Sequence, residues 1–336
     1  TPIKSAPDGR RLFDTHCYFC HGYAGDARTA AARFLNPPPR DFTAPASRAL
    51  TRERMIAEFQ RRNYGPEKVA AAILGAIAAQ PGVLVRCSSE FPFFPAAQRI
   101  LALGESGAFG RILEVNTGFL HSSDLDPAKP LNWKRTRAAN GDYGVMGDLG
   151  MHVCHVPFRL GWKPRDVRAV LSNIVTERPD GKGGRAPCDT WDNATLLCEA
   201  EDRDGVRFPW TLRTQRIAPG QKNTWYVEIA GTKASARFST KNPKRLELLT
   251  YSGGEQAWQE IDVGYTGAFK AVSGEIFEFG FPDAMLQMTA AYLHELTHGR
   301  PLRPSAGCVT PEETALSHRL FTAALRSHEH GTTEKV

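Results

Sequence analysis

The feature that most constrains the fold of this 336-residue chain is a succession of short alternating segments in its second half. Asp166–Glu177, Ala194–Ala200, Val206–Arg216, Trp225–Gly231, Ala234–Phe238, Leu246–Tyr251 and Trp258–Val263 carry the strand pattern, with turn-forming residues between them. Apolar side chains at every second position mark strands that bury one face. Arg111–His121 alternates in the same way ahead of them. So many strands with so few helices between them read as antiparallel neighbours joined by turns. The expectation is an α+β domain over residues 108–336, built on one large, mostly antiparallel sheet with flanking helices.

Helical signals frame that sheet. Pro66–Ala79 reads as a helix with proline in its first turn, Gly82–Ser89 as a short apolar strand, and Ala96–Ser106 as a helix stopped by Gly107. Pro282–His298 spaces Met285, Leu286, Met288, Tyr292, Leu293 and Leu296 at mostly helical intervals, and its methionines read as core. Thr310-Pro-Glu-Glu313 is a capping box that opens a last helix to about Ser327.

Chemistry concentrates in residues 140–161. Gly141, Gly144 and Gly147 allow a tight approach, and the apolar period that follows predicts a buried helix. On it Asp148 and His152 stand at i and i+4, on one face, and His155 can join them. A carboxylate beside an imidazole can set its tautomer and ready it for proton transfer near neutral pH. The bland alternative is a satisfied hydrogen bond under a loop.

The N-terminal segment carries a different signal, Cys17-Tyr-Phe-Cys20-His21. Cys-x-x-Cys-His puts two thiols one helical turn apart, where they can add to the vinyl groups of a haem, with His21 as proximal iron ligand. A zinc site would use the same atoms with His16 as a fourth ligand, but one short helix rarely wraps a metal tetrahedrally. A thioredoxin-like redox pair would need a preceding strand. The other five cysteines are scattered singly and read as buried thiols. Together with Gly9, Phe13 and Arg33–Thr43, the motif resembles small c-type cytochromes over about residues 5–57. That resemblance implies covalent haem c, an electron-transfer protein partner and a periplasmic location. The family's distal-methionine loop is missing, and Met55 lies on a helix instead.

Gly82–Gly110, ending in Leu-Gly-Glu-Ser-Gly-Ala-Phe-Gly, looks like the exit from the nucleotide domain of the Gfo/Idh/MocA oxidoreductases. From about residue 82 to 336 the chain resembles that family's substrate domain. The resemblance divides the chain into a cytochrome-like segment (1–57), a linker with a remnant of the nucleotide domain (58–107) and the α+β substrate domain (108–336). It implies an oxidoreductase acting on a sugar or polyol hydroxyl, with NAD(P) as the family's cofactor, homo-oligomers formed through the sheet, and a cytoplasmic location if no haem is attached. Gly144–His152 matches the family's glycine-rich turn and Asp-x-x-x-His, so Asp148 and His152 fall on its proton-exchanging positions. His155 stands where the family often has aspartate. Lys134, Arg135, Lys222, Asn223, Trp225 and Tyr226 could supply polar and stacking contacts to a sugar. Two family features are absent from the sequence: a Gly-x-Gly-x-x-Gly fingerprint after a first strand, and the Glu-Lys-Pro segment with its lysine. The alternative is a haem c electron-transfer or binding protein whose large domain is a non-catalytic sugar-binding or assembly platform.

Net charge is +6, and residues 1–65 hold 11 Lys and Arg against 6 Asp and Glu. Such a lobe could dock an acidic protein. No basic motif interleaved with aromatics points to nucleic acid, and no apolar run reaches membrane-spanning length.

Overall fold

Alternation does build the sheet. In the computed structural model, which describes residues 26–28, 66–264, 267–271 and 276–336, nine strands form one sheet. They are β1 (Ile112–Leu120), β2 (Lys163–Ser172), β5 (Asn193–Glu201), β6 (Arg207–Gln215), β7 (Thr224–Gly231), β8 (Ala234–Ser239), β9 (Arg245–Thr250), β10 (Gln259–Asp262) and β11 (Glu334–Lys335). A separate hairpin joins β3 (Glu177–Pro179) to β4 (Arg185–Pro187). The order across the sheet is β10-β9-β8-β7-β1-β6-β5-β2-β11. Every pair is antiparallel except β1 and β6, which run parallel. Residues 66–336 form one unit. Cys17, Cys20 and His21, with all of the cytochrome-like segment except residues 26–28, lie outside the described residues.

One face of the sheet is covered by helices. The helices are α1 (Pro66–Ala78), α2 (Pro95–Glu105), α3 (Met151–Arg159), α4 (Phe281–His298) and α5 (Pro311–His330). The helix α5 packs on β2, α3 on β1 and β7, and α2 on β8. Trp210, Trp225, Leu196 and Leu212 point into the layer between sheet and helices, and each is fully buried. Each such side chain contributes about 2 kcal/mol of burial energy, which selects this face over the other. The capping box at the start of α5 forms as read: Thr310 Oγ1 accepts from the Glu313 amide at 3.2 Å, and Glu313 Oε2 from the Thr310 amide at 3.0 Å.

Two local expectations differ. Gly82–Ser89 makes only an isolated bridge, Cys87 to Val309, because the Pro66–Val336 unit offers it no further strand partner. The strand read as Asp166–Glu177 stops at Ser172, because the carboxylate of Asp192 accepts the next two free amides, Ile174 and Val175, each at 2.9 Å. Among the described residues no helix is long and apolar enough to cross a membrane.

Candidate functional site

Strand register brings the site together at the ends of three central strands of the sheet. Leu120 of β1 pairs with Gln215 of β6 and Thr224 of β7. The residues one step beyond, His121, Arg216 and Asn223, therefore stand side by side where the strands stop. All three line a cavity of about 500 Å³. Asn223 has φ +55°, a left-handed backbone that asparagine tolerates better than most residues and that recurs at functional sites. The loop from Ser122 to Arg137 closes one wall with Lys129, Asn132, Trp133 and Lys134, and the segment before α2 adds Glu90 and Phe91.

Helix α3 and the turn that leads into it supply the third wall, with His152 from the helix and Asp148 and Leu149 from the turn. The helix's entry is not regular. Met146–Gly150 form a single wide π turn before α3 begins, a device found mostly at functional sites. Gly144 sets up that turn with φ +55°, and a Cβ there would come within 2.7 Å of the Trp191 amide nitrogen. The extra residue per turn takes Asp148 off the i, i+4 line to His152.

The expected Asp148–His152 pair is thus corrected: the two line one cavity but make no hydrogen bond with each other. Asp148 Oδ1 instead meets Lys134 Nζ at 3.0 Å, and its other oxygen meets Arg216. His152 Nδ1 is hydrogen-bonded to Ser89 Oγ at 3.1 Å. Phe91 and Phe119 stand edge-on to its ring at 5.3 and 5.9 Å, and Trp225 Nε1 donates to its backbone carbonyl at 2.9 Å. Burial among these aromatics lowers the imidazole to about 4, so the ring is neutral at physiological pH. A neutral imidazole held at one nitrogen leaves the other free to exchange a proton.

Of the sugar-contact candidates, Lys134 and Asn223 line the cavity, whereas Arg135, His155, Lys222, Trp225 and Tyr226 do not. Arg135 is fully buried behind it, donating to Asp192 Oδ2 at 3.1 Å and Asn173 Oδ1 at 3.0 Å. A short helical turn, Trp133–Arg135, sends Lys134 and Arg135 to different sides. His155 is also fully buried, its two ring nitrogens have no hydrogen-bond partner, and burial, then Arg159 and His152, hold it well below its ordinary value. Trp225 is core: it stacks on Phe91 at 5.5 Å under the cavity and anchors α3 to the sheet.

Sequence reasoning missed Glu90, His121, Lys129, Trp133 and Arg216. A signal did exist for two of them: His121 and Arg216 are the first polar residues after alternating strands, where side chains turn from the sheet toward ligands. Burial pushes the Glu90 carboxyl up. Burial, then Arg216 and Lys134, lower His121, with Asp124 and Asn223 acting in the opposite direction.

Comparison with known proteins finds the following similarities. Residues 97–237 match the sequence profile of the GFO/IDH/MocA C-terminal domain, which supports that family. Levoglucosan dehydrogenase of Pseudarthrobacter phenanthrenivorans is 30% identical over 158 residues, which cover 43% of this chain and 39% of that enzyme. Among solved structures, levoglucosan dehydrogenase in complex with NADH and L-sorbose aligns with TM-score 0.61 at 22% identity, covering 74% of this chain and 64% of its own. An NAD binding oxidoreductase from Klebsiella pneumoniae aligns with TM-score 0.70 at 20% identity, covering 80% and 70%. An inositol dehydrogenase homolog complexed with NAD+ from Azotobacter vinelandii aligns with TM-score 0.65 at 16% identity, covering 81% and 70%. The chain matches less than two thirds of the length of levoglucosan dehydrogenase, and the structural likenesses establish the fold.

Proposed function

We propose that the cavity is the substrate half of a sugar or polyol dehydrogenase. A hydroxyl of the substrate lies against His152, whose neutral ring takes the hydroxyl proton as that carbon is oxidised. The observation carrying this reading is the His152 environment: a buried neutral imidazole, tied at Nδ1 to Ser89, on the wall of a cavity rich in hydrogen-bonding groups. Arg216, Asn223 and Lys134 are placed to bind further hydroxyls. Trp133, 58% exposed at the wall, offers an aromatic face to the C–H side of a sugar ring. Relatives whose structures contain NADH or NAD+ support a nicotinamide as the cofactor.

The described residues do not themselves fit a dinucleotide. Their one parallel strand pair, β1 and β6, lies inside the large sheet, and no glycine-rich turn leads from a strand into a helix there. The nicotinamide must be held by other residues or by another chain. Titration calorimetry with L-sorbose and with myo-inositol tests the reading, alongside NAD+-dependent oxidation followed by nicotinamide absorbance. Saturable polyol binding is expected, with any oxidation lost in His152→Ala. Absence of binding by every sugar and polyol tried, neutral or charged, would sink it.

A second reading, favoured by Cys17-x-x-Cys20-His21, is a haem c electron-transfer protein located in the periplasm, with an electron-transfer partner. A pyridine haemochrome spectrum of the purified chain decides it. Haem retained in the Cys17→Ala variant with unchanged attachment would count against it.

A further inference from the structure

We propose that the preferred ligand of this cavity is an anionic sugar, a polyhydroxylated molecule bearing a carboxylate or phosphoryl group, rather than a neutral polyol. The proposal rests on the sugar-site reading and names the substrate class within it.

The argument is one of charge pairing. Three cations line the cavity: Lys129, Lys134 and Arg216. Lys129 Nζ is answered by Asp124 Oδ1 at 2.8 Å and also donates to the Ser123 carbonyl at 2.8 Å. Lys134 and Arg216 share a single carboxylate, Asp148. Glu90, the other acid on the wall, forms no ion pair with any of them, and burial disfavours its charged form. Behind the wall Arg135 faces Asp192, so that buried pair adds no compensating charge. One positive charge is left without a counter-ion, in a site where Arg216 and Asp148 are largely shielded from water.

The neighbouring groups report the same field. Burial and then Arg216 hold the Lys134 ammonium below its ordinary range, against Asp124, with Lys129 adding to Arg216. His121 is lowered by burial and then by Arg216 and Lys134. Burial is the larger cause of both shifts, and the cations add to it against Asp124, in keeping with the surplus cation that the ion pairs leave. The unused N–H donors of Lys134 and Arg216 can hold an anionic oxygen in charge-assisted hydrogen bonds while Asn223 and His121 take hydroxyls. Such contacts favour an anion over a hydroxyl by about tenfold or more.

The experiment is titration calorimetry of the whole chain with D-glucose, D-glucuronate and D-glucose 6-phosphate at low and high salt. The His121 ring is followed by NMR across a pH series in each saturated complex. At least one anionic sugar is expected to bind tenfold or more tightly than glucose, with a preference that shrinks in high salt and in Lys134→Gln. Its binding should raise the titration midpoint of His121, whereas glucose should not. Which of the two anions wins identifies the source of the charge. Glucose binding as tightly as both anions, with His121 unmoved, overturns the proposal and leaves the sugar-site reading intact. Absence of binding by all three overturns both.

Discussion

At the level of single residues, the site turns on what His152 touches. Its one side-chain hydrogen bond is to Ser89, which is itself buried. Ser89 is a positioning residue: it fixes the ring's rotation and decides which nitrogen faces the cavity. In Ser89→Ala the Nδ1 atom loses that partner. Turnover of an oxidisable polyol should then fall about tenfold through kcat, with KM little changed. Nitrogen NMR should show His152 passing from one tautomer to a mixture, and Ser89→Thr should recover most of both. A single tautomer in Ser89→Ala would remove this role.

The same burial makes His152 a source of acid sensitivity. Its ordinary value is 6.5 and its folded value about 4. Between those limits the unfolded chain binds a proton that the folded chain refuses, so stability falls as pH drops from 6.5 toward 4 and levels below that. At about 1.4 kcal/mol per pH unit the loss is at most about 3.5 kcal/mol, and less because the ring is not completely dry. Urea unfolding at both ends of this window should show a shallower pH dependence in His152→Gln than in the parent, with His155 supplying part of what remains. Sequence made Asp148 and His152 visible because both are polar residues in an apolar helix. It could not show their partners, since Ser89, Lys134 and Arg216 come from three distant segments that only the tertiary fold brings together.

Among the elements, the π turn before α3 has the most consequence. A regular helix would have set Asp148 one turn above His152, and the extra residue instead turns the carboxylate to Lys134 and Arg216. That arrangement depends on Gly144, whose positive φ and contact with the Trp191 backbone leave no room for a side chain. Gly144→Ala should cost about 2 kcal/mol, read as a lower urea midpoint with unchanged slope. It should also weaken polyol binding more than an equally destabilising change in α5 does. Equal binding at equal stability would show that the turn serves packing alone. The glycines and strands were legible locally, because turn chemistry and alternation are short-range signals. The π turn and the parallel β1–β6 pair were not, as each depends on what packs against it.

Among the described residues, one face of the sheet carries no helix. Leu197 of β5 and Val170 of β2 are 53% and 62% exposed. Register puts them on the same side: Leu197 pairs with Arg168, and Val170 stands two residues further along β2. Between and around them lie Thr195, Thr211 and Arg213, so the face is mixed rather than simply charged. A broad sheet surface with exposed branched side chains is costly to leave in water, and a second copy offers the same surface for self-complementary pairing. The expected state in dilute solution is therefore an oligomer built face to face on this sheet. Light scattering on a size-exclusion column should give a multiple of the chain mass. The double change Val170→Lys and Leu197→Lys should reduce it to the monomer, since like charges would then meet across the two-fold contact. Neither residue touches the cavity at the strand ends, so polyol affinity per chain should survive dissociation. A monomeric parent, or a variant that stays assembled, would mean that this face meets some other surface.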